Sequence, residues 1–507
     1  MSQGASIAMS KEKTTIALMV VLFMGVSIAV FFSPWKTVSI ACLCASIILA
    51  FKKPEYLVYG LLAYIPFEPF LLKFVPDEIY VYARYFPEGL IYLLCVAYII
   101  QAFIQHQSIR IASFAIPFGV FILTAVISAI VNHTPFFVAS LGIRQSVRFI
   151  LCAFVIVMMK PTKQFVRNVC AIVLSIAFFE SGVGILQAIV GQSMDSFLLP
   201  GERKVFGDIQ LMGGVHQFWE TGQRVFATMG RYDQLGTFLS LTMLLLMAVV
   251  YEYKKSRFTK YFLGVFAVGI IALVLTYSRA SWFGFLFGGA LIAIAIKRDT
   301  RIIIAAAVSA LIISGYLFYS GIVVKHLIDV PRQTIAHRFF EAFSLERWRG
   351  EYYDLGRMFF LVQTPTIVVA SSPLFGVGPG TYGGGTAAAL HYTESYEKLN
   401  VPFGIKGTEG YIDNNWFSLW GETGTIGLLA YISMIALCVT AAWKVYITSN
   451  DPLFRSVSLG FIGVAFAVTF QAFLATYLEM RTLALYFWVF AGIVASQHLR
   501  LKEEERV

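Results

Sequence analysis

The stretch Lys260–Ser320, KYFLGVFAVGIIALVLTYSRASWFGFLFGGALIAIAIKRDTRIIIAAAVSALIISGYLFYS, decides the fold. It holds three apolar runs, near 260–277, 281–296 and 302–320, each close to the roughly 20 residues that cross a bilayer. Charge falls in the two turns between them. Arg279 lies in the first turn, Tyr277-Ser-Arg-Ala-Ser-Trp282, and Lys297, Arg298 and Arg301 lie in the second. The same alternation runs the length of the 507 residues. Further apolar runs lie near 14–32, 37–51, 56–72, 89–104, 111–131, 143–159, 166–190, 232–251, 424–443, 456–476 and 482–497, making fourteen in all. Only 13% of residues are charged and 58% are hydrophobic, where a soluble domain carries about 25% charged. Mean hydropathy is +0.74. Disorder and a large soluble enzyme are excluded, and an all-α polytopic membrane protein of about 12–14 transmembrane helices is expected.

The net charge of +10 would suit nucleic acid, but its placement does not. With the N-terminus inside, the short inner loops and their edges hold Lys11, Lys13, Lys52, Lys53, Arg110, Lys160, Lys163, Arg167, Lys254, Lys255, Arg257, Lys260, Lys297, Arg298, Arg301, Lys444, Arg455, Arg500, Lys502 and Arg506. These are about half of the 39 Lys and Arg. The short outer loops hold few. This positive-inside asymmetry puts both termini in the cytoplasm and leaves no role for nucleic acid. The six cysteines all fall within apolar runs and form no CxxC pair, so neither a disulfide framework nor a thiolate metal site is expected. The seven histidines show no ligand spacing, so metal binding is not expected. The first run is longer than a usual signal-peptide core and reads as an uncleaved helix.

The chain divides into N-terminal transmembrane helices (1–190), an extracytoplasmic loop (191–231), central transmembrane helices (232–320), a large extracytoplasmic loop (321–423), and C-terminal transmembrane helices with a short cytoplasmic tail (424–507). Loops of such length are usually functional. The large one contains a helical stretch, Leu345–Gln363, with Trp348, Tyr352, Leu355 and Phe359 at helical spacing. A glycine-rich turn follows at 376–385, then a short helix near Thr386–Leu399, and the next helix starts near Asn414. The loop's Lys325, Arg332, Arg338, Arg347, Arg349, Arg357, Lys398 and Lys406 are not explained by orientation. They await an anion or serve internal ion pairs.

Three constellations lie at the outer boundary: Arg224-Val-Phe-Ala-Thr-Met-Gly-Arg-Tyr-Asp-Gln-Leu-Gly236, the Arg279 turn, and Tyr411-Ile-Asp-Asn-Asn-Trp416 leading to Glu422-Thr-Gly-Thr-Ile-Gly427. Guanidinium groups suit phosphate, because the planar fork makes bidentate bonds and stays charged. Arg279 could instead anchor its turn at the interface, and Arg224 could be an ordinary loop cation. Asp413 and Asn414 stand where an N-cap is wanted, while a carboxylate at such an edge can also accept a hydroxyl proton. The glycine turn has no preceding strand, which argues against a dinucleotide site. Gly378 and Gly380 serve a sharp turn or a close approach to a ligand. Glu180 lies mid-span, where an ionisable group costs about 2.5–3.5 kcal/mol and usually has a purpose. A substrate cavity is one such purpose, and pairing with another helix is another.

Together these segments resemble the O-antigen ligase/polymerase (Wzy-C, O-antigen ligase-like) superfamily of bacterial membrane glycosyltransferases. The resemblance spans about Thr221–Leu429. It rests on Arg224-Val-Phe-Ala-Thr, Ser278-Arg-Ala-Ser-Trp, Pro373-Leu-Phe-Gly-Val-Gly-Pro-Gly, and Asp413-Asn followed by Glu422-Thr-Gly-Thr-Ile-Gly-Leu-Leu, in that order around one large loop. It implies a GT-C-like protein of the bacterial plasma (inner) membrane. Such a protein moves a glycan from an undecaprenyl-pyrophosphate-linked donor to an acceptor glycan, with inversion and with neither metal nor cofactor. It would share its pathway with a flippase and a chain-length regulator, both candidate partners alongside membrane lipid. The resemblance gives Arg224 and Arg279 the phosphate and sets the family's His-Asn pair on Asp413-Asn414. Arg231, Arg347, Arg357, Asn414, Gly378, Gly380 and Glu180 complete the expected substrate-binding set. Aspartate in place of histidine departs from the ligase pattern, since a carboxylate is a weak base unless desolvated. A second departure is Tyr232-Asp233 where relatives often have Pro-Asn. The first favours a surface-polysaccharide polymerase over a ligase with a different acceptor. A lipid-linked oligosaccharide flippase or transporter is the competing class. Inverted-repeat transporters show paired, broken spans, whereas the glycine-rich break here has no counterpart in the other half.

Overall fold

The computed structural model describes residues 34–106, 110–201, 205–206, 209–210, 224–254, 257–319 and 334–505. The expected run at 14–32, with Lys325 and Arg332, lies outside them. Each of the other thirteen runs is helical. Among the described residues, nine helices are long and apolar enough to cross a membrane: Pro34–Lys52, Pro54–Phe74, Asp77–Ile104, Lys163–Val190, Tyr232–Glu252, Arg279–Ile296, Asn415–Thr448, Pro452–Gln471 and Arg481–Glu504. The run at 143–159 is a broken pair, Phe136–Val147 and Ile150–Met159, bent by 52°. Three shorter apolar helices, Ala115–Val131, Thr259–Leu275 and Thr300–Tyr316, account for the rest. Among the described residues, β-structure is limited to the two-residue strands Val205–Phe206 and Ile209–Gln210.

Local chemistry sets the helix ends. The Thr162 hydroxyl accepts from the Phe165 amide at the start of Lys163–Val190, and Gly191 stops that helix at φ +74°. Asp451 caps Pro452–Gln471 through the Leu453 amide. The core is built from Tyr232–Glu252, Pro452–Gln471 and Arg481–Glu504. The first two pack on each other, and the third lies against Ile150–Met159 and Asn415–Thr448. Peripheral helices expose Phe103, Ile116, Ile189 and Leu311, surface that a bilayer would cover.

Small residues bring the site-bearing helices together. A Cβ on Gly236 would lie 2.6 Å from Ser281 Oγ, and one on Gly288 would lie 2.5 Å from the Gly463 carbonyl. The first contact draws the starts of Tyr232–Glu252 and Arg279–Ala290 side by side, and the second presses Arg279–Ala290 onto Pro452–Gln471. At the opposite ends, Glu252 takes both Lys297 and Arg455, and Lys163 pairs with Asp451 at 2.6 Å. Basic residues assigned to one side by the sequence therefore gather at one end of the bundle.

The large loop differs from expectation in two places. The helix expected over Leu345–Gln363 is two, Leu345–Tyr353 and Arg357–Gln363. Leu355 adopts φ +59°, and the Gly356 amide closes on the Glu351 carbonyl at 2.7 Å. The helix expected near Thr386–Leu399 is also two, Gly385–Leu390 and Glu394–Lys398, parted by His391 at φ +51°. The helix expected to start near Asn414 and lead into the span from 424 is found as Asn415–Thr448, with a break at Gly424 (φ +67°). The glycine turn docks on that break. Val377 and Gly378 amides bond the Gly421 and Glu422 carbonyls at 2.8 and 3.1 Å, and the Thr425 amide bonds the Pro373 carbonyl at 2.9 Å. A Cβ on Gly424 would lie 2.3 Å from the Leu374 backbone, so only glycine fits.

Candidate active site

Arg279 opens its helix from a turn that is fixed on every side. Tyr277 is left-handed at φ +54°, Ser278 Oγ lies 2.8 Å from Ser281 Oγ, and the Trp282 indole donates to the Leu273 carbonyl at 2.8 Å. The guanidinium reaches into the large loop, where Nη1 is 3.1 Å from Glu341 Oε2. Glu341 is 3% exposed and also meets Arg338 at 3.3 Å and Arg347. Arg347 continues to Glu351 at 3.1 Å. The other oxygen of Glu351 accepts from the Arg357 amide at 3.2 Å. Arg357 then sends Nε and Nη2 to one oxygen of Asp413, at 3.2 and 2.8 Å. An alternating chain, Arg279–Glu341–Arg347–Glu351–Arg357–Asp413, thus links a membrane helix to the far end of the loop. Burial outweighs the neighbouring carboxylates at Arg347 and holds its guanidinium below its ordinary value.

Cation count exceeds anion count here. Arg279, Arg338, Arg347 and Arg357 face Glu341, Glu351 and Asp413. Arg224 adds a further charge: it stacks on the Tyr232 ring at 4.4 Å and has no carboxylate partner among the described residues. Tyr232 is also within electrostatic reach of Arg279. Arg231 is held bidentately by Asp233 at 3.0 and 2.6 Å, next to Tyr411. The expected alternative of internal ion pairs therefore describes Arg338, Arg347 and Arg357 as found, while the excess charge still suits an anion.

The structure separates the roles of Asp413 and Asn414. Asn414 is the helix cap, its Oδ1 accepting from the Phe417 amide at 3.1 Å. Asp413 is not a cap. It adopts φ +49°, gives one oxygen to Arg357, and keeps the other without a partner among the described residues. Nδ2 of Asn414 is buried and makes no hydrogen bond among them.

Glu180 is fully buried and directs both oxygens at Thr228, one to the hydroxyl and one to the amide. Gln187, two turns along, accepts from the Phe226 and Ala227 amides at 3.0 and 2.8 Å. Together they fasten the segment that presents Arg224. Gly378 and Gly380 are buried against protein. Added Cβ atoms would lie 2.2 Å from Thr134 Oγ1 and 2.7 Å from the Val138 carbonyl.

Sequence reasoning missed Glu341, Glu351 and Glu479. The alternation of Glu341, Arg347, Glu351 and Arg357 in a basic loop was the available signal for the first two. Glu479 lies between two spans. Burial raises its carboxyl above the ordinary range, against the opposing effects of the Gly385 amide, Gln145 and Arg148. It also neighbours Tyr411, whose phenol is raised by burial first and then by Glu479.

A helical bundle whose large loop sets Arg279, Arg338, Arg347 and Arg357 against Glu341, Glu351 and Asp413 defines a polytopic membrane protein with a guanidinium-rich cluster at one end. Comparison adds a likeness: residues 264–432 match the model of the O-antigen ligase (Wzy_C) family. The match supports the O-antigen ligase/polymerase-like superfamily of membrane glycosyltransferases. It covers about a third of the chain and includes Arg279, Arg347, Arg357, Asp413 and Asn414. It starts after the Arg224 segment, which the sequence resemblance had included. No curated protein matches the chain.

Proposed function

We propose that the protein is a metal-independent, inverting glycosyltransferase that joins glycan repeat units from an undecaprenyl-pyrophosphate-linked donor to an acceptor sugar, acting as a surface-polysaccharide polymerase. The observation that carries this reading is the excess of guanidinium charge beside Asp413. Arg224 and Arg279 grip the pyrophosphate, with Arg347 and Arg357 close by, and stabilise the charge that grows as it leaves. Asp413 accepts the proton of the acceptor hydroxyl on its unpartnered oxygen. The freed oxygen attacks the anomeric carbon from the face opposite the leaving group. The C–O bond to pyrophosphate breaks, and the bonding pair leaves with the phosphate. Asn414 offers its spare amide N–H to a sugar hydroxyl, and Arg231 borders the same space. Glu180 acts through Thr228 on the Arg224 segment. Orientation follows the basic-loop asymmetry: both termini in the cytoplasm, and the site on the outer face of the bacterial inner membrane.

Arg224→Ala and Arg279→Ala should each abolish polymer with the protein still in the membrane. Normal polymer length and yield in both would refute the mechanism. A deletion strain separates the two enzymatic readings, since single repeat units on the surface mean a polymerase and unattached long chains mean a ligase. Purified protein with a lipid-linked repeat unit in detergent tests the transporter class, because transfer there needs no second compartment.

A further inference from the structure

A second group of arginines lies outside the chemistry described so far. Arg84 of Asp77–Ile104, Arg144 and Arg148 of the bent pair, and Arg481 at the start of the last helix surround Glu68 and Glu88, and Arg148 is also within electrostatic reach of the Glu479 carboxyl. Arg148 contacts Glu88 at 2.7 Å, while Arg144 and Arg481 reach it at 3.6 and 3.8 Å. Arg481 and Arg84 approach Glu68 at 3.1 and 3.9 Å. Among the described residues, four guanidiniums thus face three carboxyl groups, two of them in direct contact. Both acids are nearly inaccessible, and the Arg148 side chain is 7% exposed.

Its hydrogen bonding is incomplete. Nε of Arg144, Nε of Arg148, and both Nε and Nη2 of Arg481 are buried without a hydrogen-bond partner among the described residues. The Arg481–Glu68 contact is therefore an ion pair by distance whose N–H points elsewhere. Buried guanidinium N–H groups left unmet are costly, and a tetrahedral dianion would satisfy several at once. Arg84 and Arg144 are the more exposed members, at 20% and 31%, so the group opens on their side and closes on Arg148 and Arg481. Arg148 also donates to the Glu479 carbonyl at 3.1 Å. The Glu479 carboxylate neighbours Tyr411, which in turn feels Asp413.

We propose that Arg84, Arg144, Arg148 and Arg481 form a second phosphate-binding site, which holds the pyrophosphate end of the second lipid-linked substrate. The assignment to a lipid-linked substrate rests on the polymerase reading, because a polymerase must hold two such chains at once. The existence of an anion site does not rest on it.

Equilibrium binding of radiolabelled inorganic pyrophosphate to the purified full chain in detergent tests the proposal. Wild type should bind two equivalents. The rim double variant Arg84→Gln/Arg144→Gln should bind one, its second site weakened by at least about tenfold, as removal of two charged donors implies. Arg279→Gln should also bind one, and its retained site should be the one the rim variant lacks. One equivalent in wild type, or two in the rim variant, overturns the second site. Loss in the rim variant with no loss in Arg279→Gln supports the second site and instead refutes the pyrophosphate role of Arg279. Undecaprenyl pyrophosphate should displace the label from both sites, and phosphatidylglycerol vesicles from neither. Displacement by phosphatidylglycerol at the second site would make it a bulk-lipid contact and overturn its assignment to the carrier. Unchanged thermal melting of the rim variant shows that the missing equivalent does not reflect unfolding.

Discussion

Asp413→Asn isolates the proton-accepting role from every structural role the residue could have. Asn414 holds the cap, so the helix start is untouched. The backbone at φ +49° suits asparagine, which visits the left-handed region readily, whereas alanine there costs about 1–2 kcal/mol. The substitution removes the ion pair with Arg357, whose two side chains are 36% and 24% exposed. A partly exposed pair is worth about 0.2–1 kcal/mol, and the asparagine oxygen still accepts from Nε or Nη2. Stability should fall by about 1 kcal/mol or less, seen as a small drop in Tm in detergent. Removing a general base costs about 10²–10⁴ in rate, or about 3–5 kcal/mol of barrier. The assay is transfer from a purified lipid-linked repeat unit at matched protein amounts. Retention of more than about a tenth of wild-type activity would refute Asp413 as the base.

Glu341→Gln leaves three guanidiniums around a buried neutral amide, and breaking a buried pair costs about 3–5 kcal/mol. A marked drop in Tm is expected, and an unchanged Tm would show that the arginines do not depend on it. Gly424→Ala puts a methyl 2.3 Å from the Leu374 backbone at a left-handed position, so the variant should fail to accumulate in the membrane; normal yield would refute the tight splice. Glu479 titrates above its ordinary value because of burial. Its neutral form is the one the fold favours, so its contribution is complete below the unfolded carboxyl value near 4 and is lost as pH rises through the folded value. Glu479→Gln does not titrate, and Tm of the variant minus that of wild type should grow more positive as pH rises above about 4; a flat difference would refute the shift.

Most of the bundle was legible because a bilayer demands long apolar runs and tolerates little else. The runs at 260–277, 281–296 and 302–320 became helices with their charges in the turns between. Less legible was anything depending on backbone detail. Leu355 and His391 are ordinary helix formers by composition, yet each ends a helix by turning left-handed, because the chain there must reverse to pack. The arginines were visible as a surplus, since orientation could not account for them. Their carboxylate partners were not, because an acid at 341 or 351 looks like any loop acid until folding sets it against Arg279 or Arg347. Arg144, Arg148 and Arg481 read as span ends, and only the meeting of four helices makes them a group.

The splice of the glycine turn onto Gly424 has a consequence for how such a protein can change over time. Asp413 is mounted at the start of a helix that continues through the break into the membrane, whereas Arg338, Arg347 and Arg357 ride on the short loop helices before the splice. The frame carries the base and the cover carries most of the charge. Residues 334–372 include Glu341 and Arg357, so change there is confined to positions that leave the contacts to Arg279 and Asp413 in place, while residues 373–378 are held by the splice itself. Variation in this loop is thus hemmed in at both ends, by an ion-pair chain on one side and a backbone seam on the other.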